Sequence, residues 1–148
     1  MKKSKFIVLA APSGSGKTTL VNKLLTEVKL NLEFSISATS RKPRKDEVNG
    51  KNYFFLSKDD FLKKIENNEF LEWEEVYKDA FYGTLISELE VSNSKNIIFD
   101  IDVVGGLNIK KKFPNQTLTI FIKPPSISEL ESRLKKRKSE TDSSIKIR

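Results

Sequence analysis

A chain of 148 residues, 37% of them hydrophobic, is of single-domain size and can bury one substantial core. Cysteine and histidine are both absent, which excludes disulfides, thiolate or imidazole metal sites and phosphohistidine or serine–histidine chemistry, so any catalysis must use Lys, Arg, carboxylates, hydroxyls or backbone. The net charge of +7 asks for an anionic partner, and it is unevenly spread: residues 1–57 carry eleven basic and four acidic side chains, residues 58–90 four and ten, and residues 123–148 eight and four.

Lys5–Ala10 is a short apolar run that meets Pro12, Gly14 and Gly16, the pattern of a buried strand ending in a turn. From Lys17 the period becomes helical, with Val21, Leu24, Leu25 and Val28 on one face. Leu32–Thr39 alternates as a strand, Arg41–Gly50 is a polar loop, and Tyr53–Leu56 is a second short strand. Ser57 with Asp60 reads as an N-cap for a helix carrying Phe61 and Ile65 and ending near Asn67 and Asn68.

Phe70–Tyr82 is acidic and aromatic without a clean period, which predicts irregular strand and turn around Gly83, with Trp73 in the core. Thr84–Val91 is expected to be helical. Asn96–Asp102 is a near-continuous apolar run of the kind buried on both faces of a parallel sheet, followed by a helix bounded by Gly105, Gly106 and Pro114. Leu118–Ile122 is a further buried strand, stopped by Pro124 and Pro125. Ser126 and Glu129 then form a capping box ahead of a helix with Ile127, Leu130 and Leu134 on one face. Strands alternating with helices imply an α/β domain around a mainly parallel sheet. No apolar run approaches the roughly 20 residues of a membrane helix, and Met1–Lys5 leads straight into a strand without the form of a signal peptide, so a cytoplasmic protein without membrane contacts is expected.

Ala11-Pro12-Ser13-Gly14-Ser15-Gly16-Lys17-Thr18 matches the phosphate-loop pattern G-x-x-x-x-G-K-[ST] except at Ala11. A glycine-permissive turn feeding a helix N-terminus presents backbone N–H groups to an anion. Lys17 is placed to reach the β- and γ-phosphates of ATP, and Thr18 to ligate Mg²⁺. The same residues also fit an ordinary glycine-rich turn unless strand and helix flank them. Ala11 is acceptable if its φ is negative. Asp100, behind Ile97, Ile98 and Phe99, is placed to hold Mg²⁺ directly or through water, and a lone Asp after a strand fits a turn or cap residue as well.

Five further segments, in order, carry a family resemblance: Ser37-Ala38-Thr39-Ser40-Arg41-Lys42-Pro43-Arg44, Glu47-Val48-Asn49-Gly50-Lys51-Asn52-Tyr53, Glu69-Phe70-Leu71-Glu72-Trp73, Tyr82-Gly83-Thr84 and Asp100-Ile101-Asp102. With the loop, they resemble the guanylate kinases along nearly the whole chain. The resemblance implies a three-layer α/β phosphate-loop fold with a mainly parallel central sheet, a small GMP-binding insertion and a lid. It divides a single domain into a core of about 1–34 and 84–125, an insertion of about 35–83 and a partial lid of about 126–148.

The implied activity is Mg²⁺-dependent transfer of the ATP γ-phosphate to GMP. Ala11 to Thr18 would bind ATP; Ser37, Arg41, Arg44, Tyr53, Glu72, Tyr82, Thr84 and Asp102 would bind GMP; Lys17, Arg41, Arg137 and Arg148 would be catalytic. Outside the resemblance, Arg41 and Arg44 read better as a solvated loop and Glu72 as one more charge of an acidic stretch, while Tyr53 and Tyr82 fit a core equally well. Guanine offers O6 as acceptor with N1–H and an amino group as donors, so a carboxylate such as Glu72 and a hydroxyl from Ser37 or Thr84 can read it, whereas adenine would set a lone pair against the carboxylate.

Val104 replaces a common Gln, and Lys138-Ser139 replaces a Gly-Thr after the first lid arginine. Family members continue for several tens of residues past the position of Arg148, so a shortened chain is expected. The alternative is a guanylate-kinase-like binding module without catalysis, which the complete donor loop disfavours. A nucleic-acid binder is disfavoured by the acidic middle of the chain and the lack of a basic-aromatic motif.

Overall fold

A computed structural model describes residues 4–12, 14–90 and 95–136. Strand β1 (Phe6–Ala10) runs through the phosphate loop into α1 (Lys17–Leu25), and β2 (Leu32–Ser35) follows. Then come β3 (Ala38–Thr39), β4 (Phe54–Phe55), α2 (Lys58–Glu66), β5 (Phe70–Tyr77), β6 (Ala80–Leu85) and the single-turn α3 (Ser87–Glu90). The chain returns through β7 (Asn96–Ile101), α4 (Val103–Lys112), β8 (Thr117–Phe121) and α5 (Ile127–Lys136).

Two four-stranded sheets result. The first has the order β2-β7-β1-β8 with every pair parallel. Its central strands are buried on both sides because their residues alternate between two helical layers. Phe6, Val8, Ala10, Ile97, Phe99 and Ile101 pack with Ile109 of α4, while Leu9 and Ile98 pack with Val21, Leu24 and Leu25 of α1. This helix–sheet–helix stack is the expected three-layer α/β fold.

The second sheet, β4-β3-β6-β5, is inserted between β2 and β7 of the first and is antiparallel except for the β3–β4 pair. It closes on α2 through Phe61, which stacks on Phe70 with ring centroids 4.4 Å apart and is fully buried. Ser57 caps α2 as expected, its hydroxyl accepting the Asp60 N–H at 3.0 Å. Leu71 joins the core under α4, and its carbonyl accepts from Lys112 Nζ, so the start of β5 ties the inserted sheet to the larger one.

Several sequence expectations are corrected. Leu32–Thr39 is two strands in different sheets, because the chain leaves the first sheet at Ile36 and Ser37 and enters the second at Ala38. Phe70–Leu85 is an antiparallel hairpin, irregular as expected in carrying two register shifts, but it turns at Lys78 and Asp79 (φ 62°) rather than at Gly83, which lies inside β6. Thr84 is therefore on a strand, and the helix after it starts at Ser87 and is described to Glu90, with Val91 outside the described residues. Gly105 and Gly106 do not bound α4 but sit in its first turn. Val28 leaves the helical face for a 3₁₀ turn and is 90% exposed, Trp73 is 43% exposed rather than core, and Ile127 is exposed at the start of α5. Among the described residues, no helix is long and apolar enough to cross a membrane.

Candidate active site

Strand β1 delivers the loop, and α1 receives it. Gly14 and Gly16 adopt φ of 83° and 89°, the left-handed region that glycine enters without penalty. Positive φ among described non-glycine residues is confined to Asn31, Asn68 and Asp79, so Ala11 replaces a glycine without strain. Ser13 lies outside the described residues. Ser15 Oγ is buried without a hydrogen-bond partner among the described residues, an orphan of the kind a bound phosphate would satisfy. Helix α5 leans on the loop, with Leu130 and Leu134 against Gly14 and the Arg133 guanidinium donating to the Gly14 carbonyl at 3.4 Å.

Asp100, near the end of β7, faces the start of α1 because β1 and β7 are adjacent and parallel, with Leu9 opposite Asp100. Thr18 Oγ1 donates to Asp100 Oδ2 at 3.0 Å, and Lys17 Nζ lies 3.1 Å from Oδ1 while donating to the Ile101 carbonyl at 2.9 Å. A hydroxyl and a carboxylate this close form a hard-oxygen pair suited to Mg²⁺.

The opposite wall comes from the inserted sheet. Arg41 Nε donates to the Tyr82 hydroxyl at 3.1 Å, and its guanidinium lies 5.0 Å from the Tyr53 ring centroid. Its two terminal nitrogens grip the Glu47 carboxylate at 2.7 Å each, and Glu47 also accepts the Arg44 backbone N–H at 2.7 Å. Burial alone would lower the Arg41 pKa; Glu47, with Tyr82 and Tyr53, more than reverses this. The Arg41 hydrogen bond conversely lowers the Glu47 pKa, with burial opposing.

Glu72 is buried on β5, and its pKa is raised by desolvation and further by the Asp102 charge, against the Thr84 hydroxyl that donates to Oε1 at 2.7 Å. Asp102 caps α4, its Oδ1 accepting the Gly105 N–H at 2.7 Å. Ser37, Arg41, Arg44, Tyr53, Glu72, Tyr82 and Asp102 line one cleft of about 770 Å³ together with Ala11, Pro12, Gly14–Thr18 and Asp100; Thr84 stands buried behind Glu72.

The guanylate kinase family model matches residues 3–148. The chain belongs to the guanylate kinase family. It is 55% identical to a guanylate kinase of Porphyromonas gingivalis over 147 residues, 98% of this chain and 78% of that one. It is 54% identical to one of Bacteroides fragilis, covering 98% and 72%. The crystal structure of guanylate kinase from Anaplasma phagocytophilum superposes with a TM-score of 0.73 at 34% identity, over 89% of this chain and 67% of that one.

The guanylate kinase motifs thus converge from both sheets, apart from the expected lid residues Arg137, Arg148, Lys138 and Ser139, which lie outside the described residues. Val104 stands exposed on the cleft wall. Two residues of the wall escaped sequence reading. Glu47 lies inside a quoted motif, but its grip on Arg41 is a loop contact with no periodic signal. Glu74 follows Glu72 at i+2, which places both on one face of a strand; reading the segment as irregular hid that alternation.

Proposed function

We infer that this chain is an ATP:GMP phosphotransferase, moving the γ-phosphate of ATP to GMP with Mg²⁺ and giving ADP and GDP. The observation that carries the reading is the single cleft in which a phosphate loop faces an arginine–tyrosine wall and a buried carboxylate. ATP meets the loop at its β- and γ-phosphates, with Gly14–Thr18 offering backbone N–H groups and Lys17 its charge. Thr18 and Asp100 would hold Mg²⁺, which when bound offsets the charge of the transferring phosphates.

Arg41, Arg44, Tyr53 and Tyr82 bind the GMP phosphate, whose anionic oxygen attacks in line, so no protein nucleophile is required and the absence of His and Cys is no obstacle. The protein contributes positioning and charge neutralisation, with Lys17 and Arg41 beside the reacting groups and closure excluding water. Glu72 reads guanine. Because Thr84 spends its hydroxyl proton on Glu72 Oε1, it fixes the carboxylate, and Ser37 is left as the hydroxyl for O6. An adenine in this place would leave the carboxylate facing a lone pair, which sites of this kind reject by roughly 10⁴. Arg137 and Arg148 complete the catalytic set by family position.

A coupled assay of ADP formation with ATP and Mg²⁺ against GMP, AMP, CMP and UMP tests this, with Lys17→Ala as control. Turnover confined to GMP is expected. Equal rates across acceptors would overturn the guanine assignment, and GMP binding without turnover would favour a binding module.

A further inference from the structure

The β5–β6 hairpin turns one face to the cleft. Glu72 is opposite Thr84 and Glu74 opposite Tyr82, and residues directly opposite across two strands share a face. Glu72, Thr84 and Tyr82 already have roles in the proposed reaction; Glu74 has none, though it lines the same cleft. Its Oε2 is buried and takes no donor N–H or O–H among the described residues, while its carboxyl group meets that of Asp102 in a shared hydrogen bond. Desolvation, the adjoining Asp102 carboxyl and the charge of Glu72 together push its pKa up to about 7. An oxygen buried beside two like charges is unfavourable in the free protein, and N–H donors arriving with a ligand would relieve it.

Guanine brings three such hydrogens on one edge, one on N1 and two on the exocyclic 2-amino group. Three carboxylates stand at this end of the cleft, and two of them, Glu74 and Asp102, meet each other. The Thr84 hydroxyl donates to Glu72 Oε1 and the Gly105 amide to Asp102 Oδ1, whereas no N–H or O–H among the described residues donates to Glu74 Oε2. Resting on the GMP reading, we propose that Glu74 is a further specificity residue for the acceptor base, accepting a hydrogen bond from the guanine 2-amino group while Glu72 takes N1–H. Glu74 thereby separates guanine from hypoxanthine, which shares N1–H and O6 but lacks the amino group.

The test is calorimetric titration of the chain, Glu74→Ala and Glu74→Gln with GMP and with IMP at pH 8, where the carboxyl is ionised. A hydrogen bond to a charged acceptor supports a loss of about tenfold or more in GMP affinity for Glu74→Ala. IMP affinity stays within about twofold, and Glu74→Gln, which keeps an acceptor oxygen, falls between. Equal weakening of GMP and IMP, the mark of a merely structural role, overturns the assignment, as does unchanged GMP binding. Because the readout is binding, failure of phosphoryl transfer in a chain that binds GMP counts against the proposed reaction alone. Failure of the unsubstituted chain to bind GMP overturns both.

Discussion

Glu47 holds Arg41 by both prongs of its guanidinium, at 2.7 Å from each terminal nitrogen, in the planar geometry a phosphate would use. The carboxylate keeps a half-buried cation oriented over Tyr53 and against Tyr82 before any acceptor arrives. Lysine would keep the charge but lose the fork and its stacking. Arg41→Lys is expected to lower kcat/KM for GMP by roughly tenfold or more, the loss expected for one charge-assisted hydrogen bond, while KM for ATP changes little. An equal rise in both KM values would show that Arg41 does not serve the acceptor side.

The same pair makes acid stability predictable in sign. The Glu47 pKa is lowered below its ordinary 4.5, chiefly by the Arg41 hydrogen bond. A depressed carboxyl contributes stability that is fully present above the unfolded value and is lost as pH falls through the folded one. Glu47→Gln should therefore melt below the parent at pH 7, and the gap in Tm should close as the pH falls below 4.5. A gap that persists or widens in acid would contradict the linkage.

The centre of the larger sheet was readable because strands buried on both faces announce themselves: Ile97, Ile98 and Phe99 are consecutive and all buried, whereas β8, expected to be buried by the same pattern, exposes Leu118, Ile120 and Phe121. The phosphate loop was readable because its chemistry requires glycines at fixed places, and both carry positive φ. The β5–β6 hairpin was not, and the cause is the site itself. Glu72 and Glu74 take cleft-facing positions on β5 where an ordinary half-buried strand would carry apolar residues, and Trp73 on the other face is exposed, so the period-2 signal is lost where the cleft is acidic. The break at Ile36 and Ser37 was hidden for the opposite reason, since alternation continues through it although the chain changes sheets.

Asp100 ties the donor half together, meeting Thr18 at 3.0 Å and Lys17 at 3.1 Å. Asparagine keeps its shape and removes the charge that a hard cation favours. For Asp100→Asn, the Mg²⁺ concentration giving half-maximal turnover should rise roughly tenfold or more, taking the scale of metal-site substitutions, and saturating Mg²⁺ should recover part of the rate. An unchanged Mg²⁺ dependence would remove Asp100 from the metal site.

Adjacent glycines in α4 separate recognition from stability. A Cβ on Gly106 would lie 2.8 Å from Val8 Cγ1, in a fully buried and stiff part of the core. Overpacking of this kind costs about 1–3 kcal/mol, against which the better helix propensity of alanine returns up to about 1 kcal/mol. Gly106→Ala should therefore lower Tm while leaving GMP affinity within about twofold of the parent. A Cβ on Gly105 would lie 2.7 Å from Glu72 Oε2 and 3.0 Å from Asp102 Oδ1, both side-chain ends on the cleft wall proposed to meet the base. They can move aside, but Glu72 is tethered to Thr84, so relief comes by dislodging the carboxylate from its reading position. Gly105→Ala should keep Tm close to the parent's and weaken GMP binding by about tenfold or more. Melting curves and GMP titrations on the two variants decide it, because the opposite pattern, or the same loss in both, would mean that Gly105 does not make room for the Glu72 carboxylate.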